Sequence, residues 1–113
     1  MNSFIKAFAL LLLVAGIESL GADIVAGPML ANLEMREATV WVQTDQPALV
    51  RVQYRDANNR EQWSLPVETN PELANTAAIK LQKIEPGQQY RYAVEIDGKL
   101  TQLGGSFESP QKK

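Results

Sequence analysis

From Tyr90 to Ile96 the chain keeps strict time: Tyr90, Tyr92, Val94 and Ile96 alternate with Arg91, Glu95 and Asp97 on the other phase. Side chains two residues apart share one face of an extended strand, so this run has an apolar face and a charged one and must lie half-buried. The same period recurs where Val50, Val52 and Tyr54 alternate with Arg51, Gln53 and Arg55, and where Ala77, Ile79 and Leu81 alternate with Lys80 and Gln82. No stretch after residue 22 keeps a helical period for three turns. Such a chain can only bury its apolar faces by stacking sheets.

Turn signals cut these runs apart. Asp45-Gln46-Pro47, Asp56-Ala57-Asn58-Asn59, Asn70-Pro71-Glu72, Glu85-Pro86-Gly87 and Asp97-Gly98 offer the fixed φ of proline or the positive φ that glycine and asparagine tolerate. They predict seven short strands over 24–34, 37–44, 48–56, 60–67, 75–83, 88–97 and 99–108. Without helical crossovers the sheet cannot be parallel, and an antiparallel sandwich follows. In Ala38-Thr39-Val40-Trp41-Val42-Gln43 the valines point one way and the tryptophan the other, which suits a central strand or a bulge. Gly104-Gly105 inside the last strand marks a bulge or a close backbone approach. No helix follows it and no lysine sits beside it to make a phosphate cradle.

The Pro86-Gly87 step turns the chain and sets Tyr90 at the head of the best-patterned strand, where its hydroxyl can bond back to the corner's backbone as a tyrosine corner. Asp97-Gly98 closes a two-residue hairpin, since both positions accept positive φ. Residues 84–99 therefore read as scaffold.

The first residues read as an export leader: Lys6 supplies the positive start, Ala7 to Ile17 is an apolar run, and Glu18 to Ala22 is a small, polar exit. The run is too short to span a bilayer, which takes about 20 residues. Cleavage after Gly21 puts small residues at both recognition positions; cleavage after Ala22 leaves the folded segment to begin at Asp23, and gives a leader helix over 1–22. The expected location is secreted or periplasmic, and no lipid-anchoring cysteine holds the mature chain on a membrane. Thirteen acids against eleven bases, with the bases scattered, make nucleic acid a poor partner. The absence of cysteine removes any disulfide frame, so stability must come from packing.

With neither histidine nor cysteine, nucleophilic triads, imidazole bases and the usual zinc sites are excluded. The acids are spread singly and none has calcium-loop spacing. Asp56 and Glu61 can approach across a hairpin as an acid–base pair, but no burial signal raises either pKa. The expected catalytic, metal and cofactor-binding sets are therefore empty. Tyr54 and Tyr92 run in phase with aliphatic neighbours and belong to the core. Trp41 and Trp63 are freer: Trp63 alternates with Leu65 and Val67 around Pro66, the mark of an edge strand that a neighbour can cover.

Gly27-Pro28-Met29-Leu30, the strand from Glu37 through Val-Trp-Val to Pro47-Ala48, the Val50-Arg51-Val52-Gln53-Tyr54 run, and Ile84-Glu85-Pro86-Gly87 with Tyr90 and Tyr92 together resemble the N-terminal domain of alkaline phosphatase D-like enzymes. The resemblance spans roughly 24–108. It implies an immunoglobulin or fibronectin type III-like sandwich over 23–108, placed after a signal peptide and before a metallophosphoesterase domain. Residues 109–113 then read as a truncated linker. That family's binuclear metal ligands lie in the second domain, so no catalytic or metal residue transfers to this chain. The implied role is that of a non-catalytic accessory domain packing on a catalytic partner, with Trp63 and the Gly104-Gly105 strand as candidate interdomain contacts. The alternative is a free-standing secreted module that binds a peptide, glycan or protein.

Overall fold

The computed structural model describes residues 21–111. Most of the expected leader, with its helix, and the last two lysines of the expected linker lie outside the described residues. Eight strands follow in order: β1 Ile24–Leu33, β2 Ala38–Thr44, β3 Leu49–Asp56, β4 Glu61–Trp63, β5 Val67–Glu68, β6 Thr76–Leu81, β7 Gln89–Ile96 and β8 Lys99–Glu108. All pairings are antiparallel. They form a three-stranded sheet ordered β1-β2-β6 and a second sheet ordered β4-β3-β7-β8, in which β5 also pairs with β3. The all-β sandwich holds; its strand count is eight rather than the expected seven.

The extra strand comes from a break in the predicted 60–67 segment. The Ser64 N–H donates to the Val52 carbonyl at 2.9 Å, and the Ser64 hydroxyl accepts from the Val52 N–H at 2.8 Å. Val67 then pairs with Val50. Leu65 and Pro66 thus stand opposite Arg51 alone. One residue too many, with a proline that cannot donate, interrupts the ladder and splits the strand into β4 and β5. At Asn70-Pro71-Glu72 the turn is a short 3-10 segment, capped by the Asn70 side chain accepting from the Glu72 N–H at 2.9 Å.

The core lies between the sheets. Val40, Val42, Ile79 and Leu81 of the first sheet face Val50, Val52, Tyr54, Tyr90 and Val94 of the second, all buried. β2 is central in its sheet, which explains its two apolar faces: its valines point inward while Trp41, half-buried, lies outside between Met29 and Ala78. A polar link also ties the layers. Thr44 and Thr69 are fully buried with their hydroxyls 2.9 Å apart, and Thr69 Oγ1 accepts from the Ala48 N–H at 2.8 Å. At Asp97-Gly98 both residues have positive φ, 48° and 85°, and Ile96 pairs with Lys99 across the two-residue hairpin.

Candidate functional site

The Pro86-Gly87 corner is a dense hydrogen-bond knot. Tyr90, 2% exposed, stacks on Phe107 with centroids 5.4 Å apart, and its hydroxyl accepts from the Glu85 N–H at 2.8 Å. Ser109 is buried beside it: its hydroxyl donates to the Glu85 carbonyl and accepts from the Gln88 N–H at 2.9 Å. The Gly87 N–H faces the carbonyls of Ser109 and Pro110. The segment expected as linker is therefore, at Ser109, bound into the sandwich.

Gly104 and Gly105 are exposed on β8, an edge of the larger sheet. Just before them the β7–β8 register shifts between Ala93 and Glu95. Thr101 fills the irregularity, donating to the Val94 carbonyl at 2.8 Å and accepting from the Leu103 N–H at 3.1 Å. Leu100 and Leu103 are left pointing outward. Burial pushes the Tyr92 phenol above its ordinary pKa, as its ring lies against Gly105.

Trp63 sits at the opposite edge, on β4. The Arg51 guanidinium lies 3.9 Å from its ring centroid, held there by a two-pronged pair with Glu95, and the indole N–H donates to Glu61 at 2.8 Å. Trp63 and the glycine pair are thus about 14 Å apart, three strand spacings. Both stand in the cross-strand row Trp63–Gln53–Ala93–Gly104 of the same sheet. Trp63 also lines a cleft of about 630 Å³ with Tyr54 and Val67 of the same sheet, Leu65 of the break between β4 and β5, and Ala78 and Lys80 of the other sheet.

The two candidate acids, Asp56 and Glu61, are engaged. Glu61 pairs with Arg55 at 2.7 Å. Asp56 accepts from the backbone N–H groups of Arg60 and Asn58 and from the Arg60 side chain, all at 2.9 Å, and these bonds, the Arg60 backbone first, hold its carboxyl below the usual Asp range. A depressed pKa is the reverse of what a general acid needs. It also fixes a pH dependence. The turn's stabilisation is present above the ordinary Asp pKa and is lost as pH falls through the lowered one. Amide exchange at Asn58 and Arg60, corrected for the intrinsic pH effect, should accelerate on acidification below that range and stay flat above it; an Asp56→Asn variant should abolish the dependence. Among the described residues no cluster of three or more acidic side chains is placed to hold a metal ion.

Over residues 21–112 the sequence matches the family described as Domain of unknown function (DUF7800). The chain belongs to that family. No curated protein matches it. Among solved structures the DUF7800 domain is similar to the sensor domain of the anti-sigma factor RsgI4 in Pseudobacteroides cellulosolvens, with 11% identity and a TM-score of 0.58 over 80% of this chain and 96% of that one. A longer form of that sensor domain gives 11% identity and a TM-score of 0.62 over 81% and 92%. PhoD is similar at 15% identity and a TM-score of 0.60, covering 82% of this chain but 19% of PhoD. At such identities the likeness is one of fold. No helix among the described residues of the DUF7800 domain is long and apolar enough to cross a membrane.

Two features of the DUF7800 domain escaped the sequence. Lys80 read there only as a polar-phase residue of its strand, because which sheet edges face each other is a matter of topology that no local pattern encodes. Ser109 read as linker, because its one hydroxyl gives no periodic signal.

Proposed function

We propose that this DUF7800 domain is an exported, non-catalytic accessory sandwich that packs against a metal-dependent phosphoesterase domain of the PhoD type. The observation that carries the reading is the fold match: four-fifths of this chain superimposes on one-fifth of PhoD, the proportion expected of a domain attached to a larger one. The residues that resemble alkaline phosphatase D-like enzymes point the same way. Such a domain acts mechanically, covering a face of its neighbour through an interdomain contact. Trp63 with Leu65 at one edge and Leu100, Leu103 and the Gly104-Gly105 step at the other are the candidate contacts for it. The metal chemistry belongs to the partner domain.

A second reading has its own support. A shorter form of the RsgI4 sensor domain is covered over 96% of its length, so a sandwich of similar fold also serves as a sensor domain. This favours a binding module for a peptide, glycan or protein.

Mixing the chain with a separately produced PhoD-type catalytic domain and following hydrogen exchange separates the two. Docking should slow exchange over 61–68 or over 100–106. Unchanged exchange in both segments at saturating partner would overturn the accessory reading.

A further inference from the structure

We infer that the cleft between β4–β5 and β6 is a strand-addition site for an extended segment that alternates acidic and apolar residues. This rests on the reading of the chain as a docking domain and adds the site and the chemistry of what it holds.

The first observation is an open stretch of strand edge. β6 is the outer strand of its sheet. The Thr44 N–H donates to the Asn75 carbonyl at 2.9 Å, which sets the phase of the β2–β6 ladder. Hydrogen-bonded pairs alternate along antiparallel strands, so Val42 with Ala77, Val40 with Ile79 and Ala38 with Leu81 carry the bonds. The backbone groups of Thr76, Ala78, Lys80 and Gln82 turn away from β2. Both ends of that outward row are occupied: the Thr76 carbonyl accepts from the Asn70 N–H at 3.2 Å, and the Gln82 carbonyl accepts from the Tyr54 hydroxyl at 2.6 Å. Between them Ala78 and Lys80 offer two N–H and two C=O groups to the cleft. A short extended segment can take all four.

The second observation is chemical. The cleft's lining carries Lys80 and Lys83 and no carboxylate. Lys83 makes no hydrogen bond or ion pair among the described residues, and its backbone sits in the left-handed region at φ 59°. Lys80 reaches Glu37 at 3.5 Å with two-thirds of its side chain still exposed. Leu65, at the other rim, is 79% exposed. A strand added to β6 alternates its side chains between two faces. On the outward face, beside Lys80, carboxylates are matched. On the face turned to Leu65 and Val67, apolar side chains are matched. Lysines on an edge repel a basic or self-similar strand, so the same residues select against wrong pairing.

The test is a titration of the ¹⁵N-labelled chain with a peptide alternating glutamate and valine, and with its lysine–valine counterpart. The expected result is saturable shifts and slowed exchange at the Ala78 and Lys80 amides and shifts at the Leu65 and Val67 amides with the glutamate peptide alone. A Lys80→Glu/Lys83→Glu variant, with the rest of its spectrum unchanged, should bind roughly tenfold more weakly or worse. No perturbation at Ala78 and Lys80, or equal binding of the lysine peptide, would overturn the site. Protection of those amides in peptide-free protein, rising with its concentration, would assign the edge to a second copy and overturn it too. If the glutamate peptide binds while a PhoD-type catalytic domain leaves these amides untouched, the site stands and docking to that domain fails. If the catalytic domain protects β8 alone, docking stands and this site is not its seat.

Discussion

Replacing Gly104 with alanine should cost about 3 kcal/mol or more, the largest loss expected from any single methyl group added to this sandwich. An ideal Cβ at Gly104 would lie 1.8 Å from the carbonyl oxygen of Tyr92 and 2.8 Å from its carbon, with Ala93 Cα at 3.0 Å. All three atoms are backbone of the neighbouring strand, so no rotamer change relieves the contact and the β7–β8 ladder itself must open. Gly105 next door is the control. There the added methyl meets only the Tyr92 ring, at 2.9 to 3.2 Å, and the ring can tilt. Gly105→Ala should cost about 1 kcal/mol, mostly from the cross-strand packing of Tyr92 over an open glycine. Urea denaturation of the two variants gives the ranking directly. In thermal unfolding of a domain of this size the difference corresponds to a Tm gap on the order of 10 °C. Equal and small losses would mean that the strands are not in the register that pairs Ala93 with Gly104.

That glycine pair shows where a sequence stops being readable. A close backbone approach was legible from two glycines in a strand, because few other reasons put them there. Which glycine bears the contact was not, since it depends on a register shift created by Thr101 bonding across to Val94. The same division runs through the rest of the fold. Val50, Val52 and Tyr54, and Tyr90 to Ile96, declare their faces by period, and they are the buried faces observed. The break between Trp63 and Val67 left only Pro66 as a clue; the extra residue that causes it shows up in the pairing with β3. Of the candidate surface, Trp63 and its edge strand could be read locally. The partner edge could not, because Ala78 and Lys80 belong to the other sheet and meet the cleft only through the sandwich topology.

Truncating Tyr90 to alanine should cost about 4 kcal/mol, and removing its hydroxyl alone in Tyr90→Phe about 1 to 2 kcal/mol. The first figure combines loss of a fully buried ring, packed on Phe107 and beside Tyr54, with loss of the corner bond. The second isolates the bond. Phenylalanine keeps the packing but leaves the Glu85 N–H without its acceptor, and an unpaired, partly buried donor costs more than an average hydrogen bond gains. Ser109 holds the other end of the same residue, through the Glu85 carbonyl. Tyr90→Phe and Ser109→Ala should therefore couple: once one bond is gone, Glu85 can shift, and the second substitution loses less than it does alone. A double-mutant cycle in urea should return an interaction of at least about 0.5 kcal/mol. A strictly additive cycle, with Tyr90→Phe costing nothing measurable, would show that Glu85 finds water instead, and the corner would then be packing without a strap.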